Sequence, residues 1–211
     1  MNELEGVIKY QLRHRQISIP NFLSFAELTI WRHLFKQLDL IGQTPERYQG
    51  YGFGNISQRI DFNEKSFVIS GTQTGHLATL QAQDYCIVTD ANPLENWLES
   101  EGECQPSSEA LTHASVYAHH PQIQAVIHVH SPTIWQHTLK LSLPYTSAEV
   151  AYGTPEMAAA VAKLLDGQQS QGVFSMLGHQ DGVIAFGKSL AEAAHLLIEQ
   201  WALAQLCAAK N

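Results

Sequence analysis

Two histidines, His128 and His130, close the apolar run Ala125-Val126-Ile127-His128-Val129-His130. Side chains alternate across a strand, so both imidazoles point to one face while Ile127 and Val129 point to the other. Two nitrogen donors presented together suit a borderline transition metal such as zinc. The bland alternative is one packed core histidine beside one surface histidine. Ser131-Pro132 breaks the run immediately and leaves His130 at a strand end. A third candidate, His179, falls in Gly178-His179-Gln180-Asp181-Gly182, the turn of an expected hairpin.

A carboxylate and an anion seat precede this pair. Pro106-Ser107-Ser108-Glu109 is expected to open a helix running to about His119, where Pro121 follows. A serine cap leaves early N–H groups pointing outward at the positive end of the helix dipole, which suits an anion. Glu109 stands in that first turn as a candidate acid/base, although a glutamate there also simply complements the dipole. His113 and Tyr117 follow at i+4 spacing and are expected to brace the carboxylate. His119 and His120 read as solvated helix-end residues. Two small-residue loops add backbone able to approach a ligand: the glycines of Gly50-Tyr51-Gly52-Phe53-Gly54-Asn55, and Ser70-Gly71-Thr72-Gln73-Thr74-Gly75. Either alone is commonly a turn. The second lacks the lysine and spacing of a P-loop.

The remaining elements must hold these groups. Residues 1–23 carry a weak helical pattern through Leu4, Val7, Ile8 and Leu12. Ser24 and Glu27 suggest a capping box for a core-facing helix with Leu28, Trp31, Leu34, Phe35 and Leu38 on one stripe. Asn63-Glu64 suggests a hairpin turn before a strand at 66–69, and a second strand covers 85–89 before Asn92-Pro93 turns the chain. Residues 139–148 read as a connection through Pro144. Pro155 starts a helix that Gly167 closes, and strands follow at 173–177 and 183–186. Ser189 and Glu192 form another capping box before a last helix, 190 to about 208.

The chain's 211 residues suit one domain with a full core, a 1–23 extension preceding a 24–208 body. A formal net charge of −8 without a basic run argues against nucleic acid as a partner. It leaves room for a small phosphorylated ligand. Three widely spaced cysteines make no disulfide framework, so a cytoplasmic setting is expected, and Cys104, among acidic neighbours, is given no role. No signal peptide or membrane span is expected. Eleven histidines keep the search for metal ligands open.

Taken in order, Gly54-Asn55-Ile56-Ser57-x-Arg59, Thr72-x-Thr74-Gly75, Pro106-Ser107-Ser108-Glu109, Ala125-Val126-Ile127-His128-x-His130-Ser131 and His179-x-Asp181-Gly182 resemble the class II aldolase/adducin family, of the L-fuculose-1-phosphate aldolase and L-ribulose-5-phosphate 4-epimerase type. The resemblance implies an α/β fold, a three-layer α/β/α sandwich with a mainly antiparallel central sheet, assembled as a homotetramer with sites at subunit interfaces. It implies a divalent metal, commonly zinc, on His128, His130 and His179, with Glu109 in or beside the metal sphere as acid/base. Asn55, Thr74, Gly75, Ser107 and Ser108 match the family's phosphate pocket. The implied activity is a metal-dependent aldehyde-lyase, cleaving a small phosphorylated sugar through a metal-stabilised enediolate. Dehydration or epimerisation of a ketose phosphate at the same site, or a non-catalytic adducin-head-like assembly module, are the alternatives.

Three departures bear on this. The family places histidine directly before the glycine of the third-ligand motif, where this chain has Asp181. A strict count makes Asp181 the ligand; a one-residue bulge makes it His179, which the neutral imidazole favours. The connection from His130 to Tyr152 is short and offers no obvious match for the family's catalytic tyrosine. The C-terminal tyrosine is absent as well, so no group is identified that protonates a leaving aldehyde.

Overall fold

The computed structural model describes residues 6–19, 23–60, 65–165 and 169–210. The expected turn at Asn63-Glu64 and the closing Gly167 lie outside those residues.

A nine-stranded sheet forms the middle of the molecule: β1 (Gln11–Gln16), β2 (Asn55–Arg59), β3 (Phe67–Ser70), β4 (Tyr85–Asn92), β5 (Trp97–Gly102), β6 (Ala125–His130), β7 (Tyr145–Thr146), β8 (Gly172–Met176) and β9 (Gly182–Gly187). Across the sheet the order is β1-β5-β4-β3-β2-β6-β9-β8-β7. The expected mainly antiparallel sheet is corrected to a mixed one. Its interior pairs are antiparallel, but both edges are parallel, β1 on β5 and β7 on β8. The pairs β2–β3, β3–β4, β4–β5 and β8–β9 are consecutive in the chain and antiparallel, whereas the parallel pairs need crossovers, β7 reaching β8 through α4 and β1 pairing with β5 across the intervening strands.

The helices are α1 (Ala26–Gln37), α2 (Ala110–His119), α3 (Pro132–Gln136), α4 (Pro155–Leu165) and α5 (Leu190–Ala208). Strand alternation divides the core in two. Ile127, Val129, Val183 and Ala185 pack with Leu28 and Phe35 of α1, Ile134 of α3 and Leu197 of α5. On the other face Val126, Ile184 and Phe186 pack with Leu111 and Val116 of α2 and Met157 and Val161 of α4. Both faces of β6 are therefore covered, and all six of its residues are buried. Each fully buried Val, Ile or Phe contributes roughly 1.5–3 kcal/mol, so β6 is held firmly from both sides.

Residues 11–16 are a strand, which overturns the helical reading of that stretch. The run alternates Leu12 and His14 with Arg13 and Arg15, a period of two as well as a partial helical stripe. The neighbouring strand decides between them. Arg13 lies opposite Glu99 and Arg15 opposite Glu101, each bonded side chain to side chain. The Ser24–Glu27 box also fails: α1 begins after Phe25 with no side-chain cap. At α5, Ser189 Oγ caps the Glu192 N–H as expected, while Glu192 reaches Lys188 N. The strands β5 and β7 and the short helix α3 go beyond the elements expected from the sequence.

Candidate metal and anion site

Register places the paired histidines. Along β6 they share the α2/α4 face with Val126, and their Nε2 atoms stand 3.2 Å apart. His128 Nδ1 lies 3.2 Å from the Val183 carbonyl, which only accepts, so Nδ1 carries the hydrogen and Nε2 keeps its lone pair. His179 comes from the turn between β8 and β9, closed by Gly182 N–H donating to His179 O at 2.9 Å. Its ring centroid lies 5.1 Å from that of His128 and 4.8 Å from that of His130. One ligand atom from each of the three falls within 4.8 Å of the others.

All three imidazoles are buried. Burial, reinforced by neighbouring His179, pushes the pKa of His128 and of His130 well below the usual histidine range, so both are neutral lone-pair donors. This donor set fits a divalent transition metal. Glu109, 1% exposed, reaches into the same space with Oε1 4.0 Å from His179 Nδ1. Tyr152 stacks on His179 at 4.4 Å, and Tyr48 meets the His130 ring edge-on at 4.6 Å.

Of His179 and Asp181, the structure brings the histidine to the paired imidazoles. Asp181 adopts φ 61°, and its carboxylate turns away to accept the Tyr48 hydroxyl at 2.7 Å. The bracing of Glu109 is also corrected. His113 Nδ1 and the Tyr117 hydroxyl both bond Ser57 Oγ at 2.7 Å on the facing strand. Thr112 braces the carboxylate instead, its hydroxyl donating to Glu109 Oε2 at 2.7 Å. Its i+3 spacing made Thr112 findable from the sequence. Nothing marked Tyr48, which sits in a loop.

Asn55, Thr74, Gly75, Ser107 and Ser108 line one small cleft. Asn55 pairs with His128 across β2 and β6, so this cleft adjoins the histidines. Helix α2 starts one residue later than expected, with Glu109 at its cap and Ser107 Oγ accepting the Glu109 N–H at 3.3 Å. Two glycines make the close approach possible. At Gly54, with φ +72°, a Cβ would stand 3.0 Å from the His128 carbonyl, and at Gly75 one would stand 2.1 Å from the Gly42 carbonyl. Another cavity, lined by Arg59, Lys65, Phe67 and Tyr117 near the far end of α2, holds none of these groups.

Residues 45–208 match the model of the class II aldolase and adducin N-terminal domain. The chain belongs to that family. Among curated class II relatives, it is 30% identical over 165 residues to methylthioribulose-1-phosphate dehydratase of Xanthomonas campestris pv. campestris strain 8004, covering 66% of this chain and 70% of the relative. It is 38% identical over 79 residues to a probable L-ribulose-5-phosphate 4-epimerase of Mycoplasma pneumoniae, covering 37% of this chain and 30% of the relative. The class II fold is shared with the crystal structure of L-fuculose-1-phosphate aldolase from Thermus thermophilus, at TM-score 0.65 and 21% identity over 88% of this chain and 93% of that one. It is shared too with a sugar-phosphate aldolase from Thermotoga maritima, at TM-score 0.65 and 16% identity over 85% and 91%.

Proposed function

We propose that this chain is a divalent-metal-dependent lyase acting on a small phosphorylated ketose, with Glu109 as the group that moves the proton. The observation carrying the proposal is the convergence of three buried imidazoles and one buried carboxylate on a single point beside an anion cleft. An assembly module has no need of that convergence.

His128, His130 and His179 would hold the ion, zinc first among the candidates. Bound there, a divalent ion supplies Lewis acidity for a substrate carbonyl and its neighbouring hydroxyl. The chain's residues do the rest. Ser107 and Ser108 hydroxyls, the Asn55 amide and backbone N–H groups at Thr74 and Gly75 bind the phosphate, whose remote binding energy fixes the reacting carbons against the histidines. Thr112 holds Glu109 by one oxygen and leaves the other toward His179. In retro-aldol cleavage the hydroxyl of the departing carbon loses its proton to water as the C–C bond breaks and that carbon becomes the aldehyde. The Glu109 carboxyl group gives a proton to the carbon that keeps the electron pair. Tyr152 and Tyr48 flank the histidines and restrict water.

Dehydration is the second reading, supported by the 30% identity to dehydratases over two-thirds of the chain. There Glu109 removes a proton beside the carbonyl as a hydroxyl leaves from the next carbon. Metal-loaded protein offered a panel of phosphorylated ketoses separates the cases by product. Release of an aldehyde supports cleavage, loss of water without aldehyde supports dehydration, and inertness with a full metal load overturns the enzyme. A homotetramer belongs to the same proposal and is tested by sedimentation equilibrium. Among the described residues no helix is long and apolar enough to cross a membrane.

A further inference from the structure

Helix α1 carries a buried cation that its apolar stripe conceals. Arg32 is 1% exposed. Every hydrogen bond it makes among the described residues ends on a carbonyl of one loop. Nη1 donates to Leu77 O at 2.5 Å and Ala78 O at 3.2 Å, and Nη2 to Thr74 O at 2.8 Å and Gly75 O at 3.3 Å. Lys36, one turn further along, places Nζ 2.5 Å from Gly75 O. The planar guanidinium fork suits several carbonyls at once, whereas an ammonium is a single point charge. Burying a guanidinium is costly, and here the cost is met on one short stretch of backbone.

That stretch is one wall of the anion cleft. In a trans peptide the C=O of one residue and the N–H of the next point in opposite directions, and no cis bond occurs among the described residues. Drawing Thr74 C=O toward Arg32 therefore turns the Gly75 N–H away from it, to the side where the cleft lies. Two observations agree. A Cβ at Gly52, across the cleft, would stand 3.5 Å from Gly75 N. Asn55, 4% exposed, lines the same cleft, where its side-chain NH2 group is a donor suited to an anion.

We infer that Arg32, assisted by Lys36, is a positioning residue for the anion cleft: it holds the carbonyls of residues 74–78 behind the loop, so that the Gly75 N–H and the positive field face a phosphate group. The inference rests on the cleft being the phosphate site proposed above. Arg32 touches no substrate in this account and acts through the loop.

The test uses inorganic phosphate and the full chain, with calorimetric titration of the wild type, Asn55→Ala, Arg32→Met, Arg32→Lys and Lys36→Met, and zinc titration of each as a control on folding. Hydrogen bonds to charged groups are worth enough that Arg32→Met should weaken phosphate about tenfold or more. Arg32→Lys should recover part of the loss, and zinc binding should be unchanged in both. Wild-type affinity in Arg32→Met overturns the inference and leaves the cleft standing. A wild type that binds no phosphate, or an Asn55→Ala variant that binds as well as wild type, overturns the reading of the cleft and the inference with it. If Arg32→Met fails to fold, two measurements decide. The wild-type Gly75 amide 15N–1H resonance should move on phosphate titration, and Lys36→Met should bind phosphate more weakly. An unmoved Gly75 resonance or an unaffected Lys36→Met overturns the inference.

Discussion

Tyr48 donates its phenolic hydrogen to Asp181 Oδ2 at 2.7 Å, and the bond joins two residues that both hold positive φ, 47° and 61°. Such backbone costs energy in residues other than glycine and persists where surrounding contacts over-determine it. Here one partner precedes β2 and the other closes the His179 turn, so the bond ties the third imidazole's turn to the loop packed against His130. Arg47 adds a bond to the same hydroxyl at 3.0 Å and one to the His130 carbonyl at 3.2 Å. Burial pushes the Tyr48 phenol above its usual range, so it stays a donor.

Tyr48→Phe keeps the ring against His130 and removes the clasp. Partners that orient metal-ligating residues are typically worth about 10–100-fold in metal affinity, and zinc should weaken within that range. Asp181→Asn should act in the same direction. Because the two share one bond, the double variant should be less impaired than the sum of the singles. Competitive zinc titration with a chelator checks this, and strict additivity would separate the two residues.

His128→Ala should remove the metal altogether. The Val183 carbonyl fixes the tautomer of His128, whose Nε2 is the near neighbour of His130 Nε2. Protein purified with zinc in the medium should carry close to one divalent ion per chain by atomic emission, and the variant essentially none. A metal-free wild type under the same conditions counts against the ligand set.

The pair on β6 was legible because strand alternation is a covalent fact: any strand through 125–130 puts both imidazoles on one face. The Ser-Ser-Glu helix start was legible for a similar local reason. What escaped depends on contacts between distant segments. Arg13 and Arg15 select a strand only because Glu99 and Glu101 lie alongside. Nothing in the sequence singles out Arg32, whose burial depends on the 74–78 loop folded over it. His113 and Tyr117 share a face with Glu109, as spacing requires, but Ser57 on the facing strand takes their polar atoms. The turn at 179–182 could be counted two ways, and only the fold shows the Asp181 carboxylate on Tyr48 while His179 joins the paired imidazoles.

Glu109→Gln should leave metal binding nearly intact and abolish turnover. The amide keeps the shape and the Thr112 hydrogen bond but carries no proton to exchange at working pH. Removing a positioned acid/base typically costs about 10²–10⁴ in rate. Thr112→Val, which frees Glu109 Oε2 without neutralising it, should give a smaller loss expressed in kcat. Equal activity in Glu109→Gln and wild type would sink the acid/base role.

The metal-free protein should lose stability on mild acidification, and His113 supplies a measurable share. It is wholly buried on α2, and desolvation lowers its pKa from 6.5 to about 3. Between those values the unfolded chain binds a proton that the folded chain refuses, so stability rises with pH there. The His113 contribution is complete above about pH 6.5 and is lost progressively as pH falls toward 3. Its slope is at most about 1.4 kcal/mol per pH unit, the value of one proton. His113→Gln keeps a polar group near Ser57 and removes the titration. Urea unfolding from pH 7 to pH 4 should therefore show a shallower pH slope in this variant, by up to one proton's worth. An unchanged slope would mean that His113 takes up its proton without unfolding, through an opening of α2 against β2.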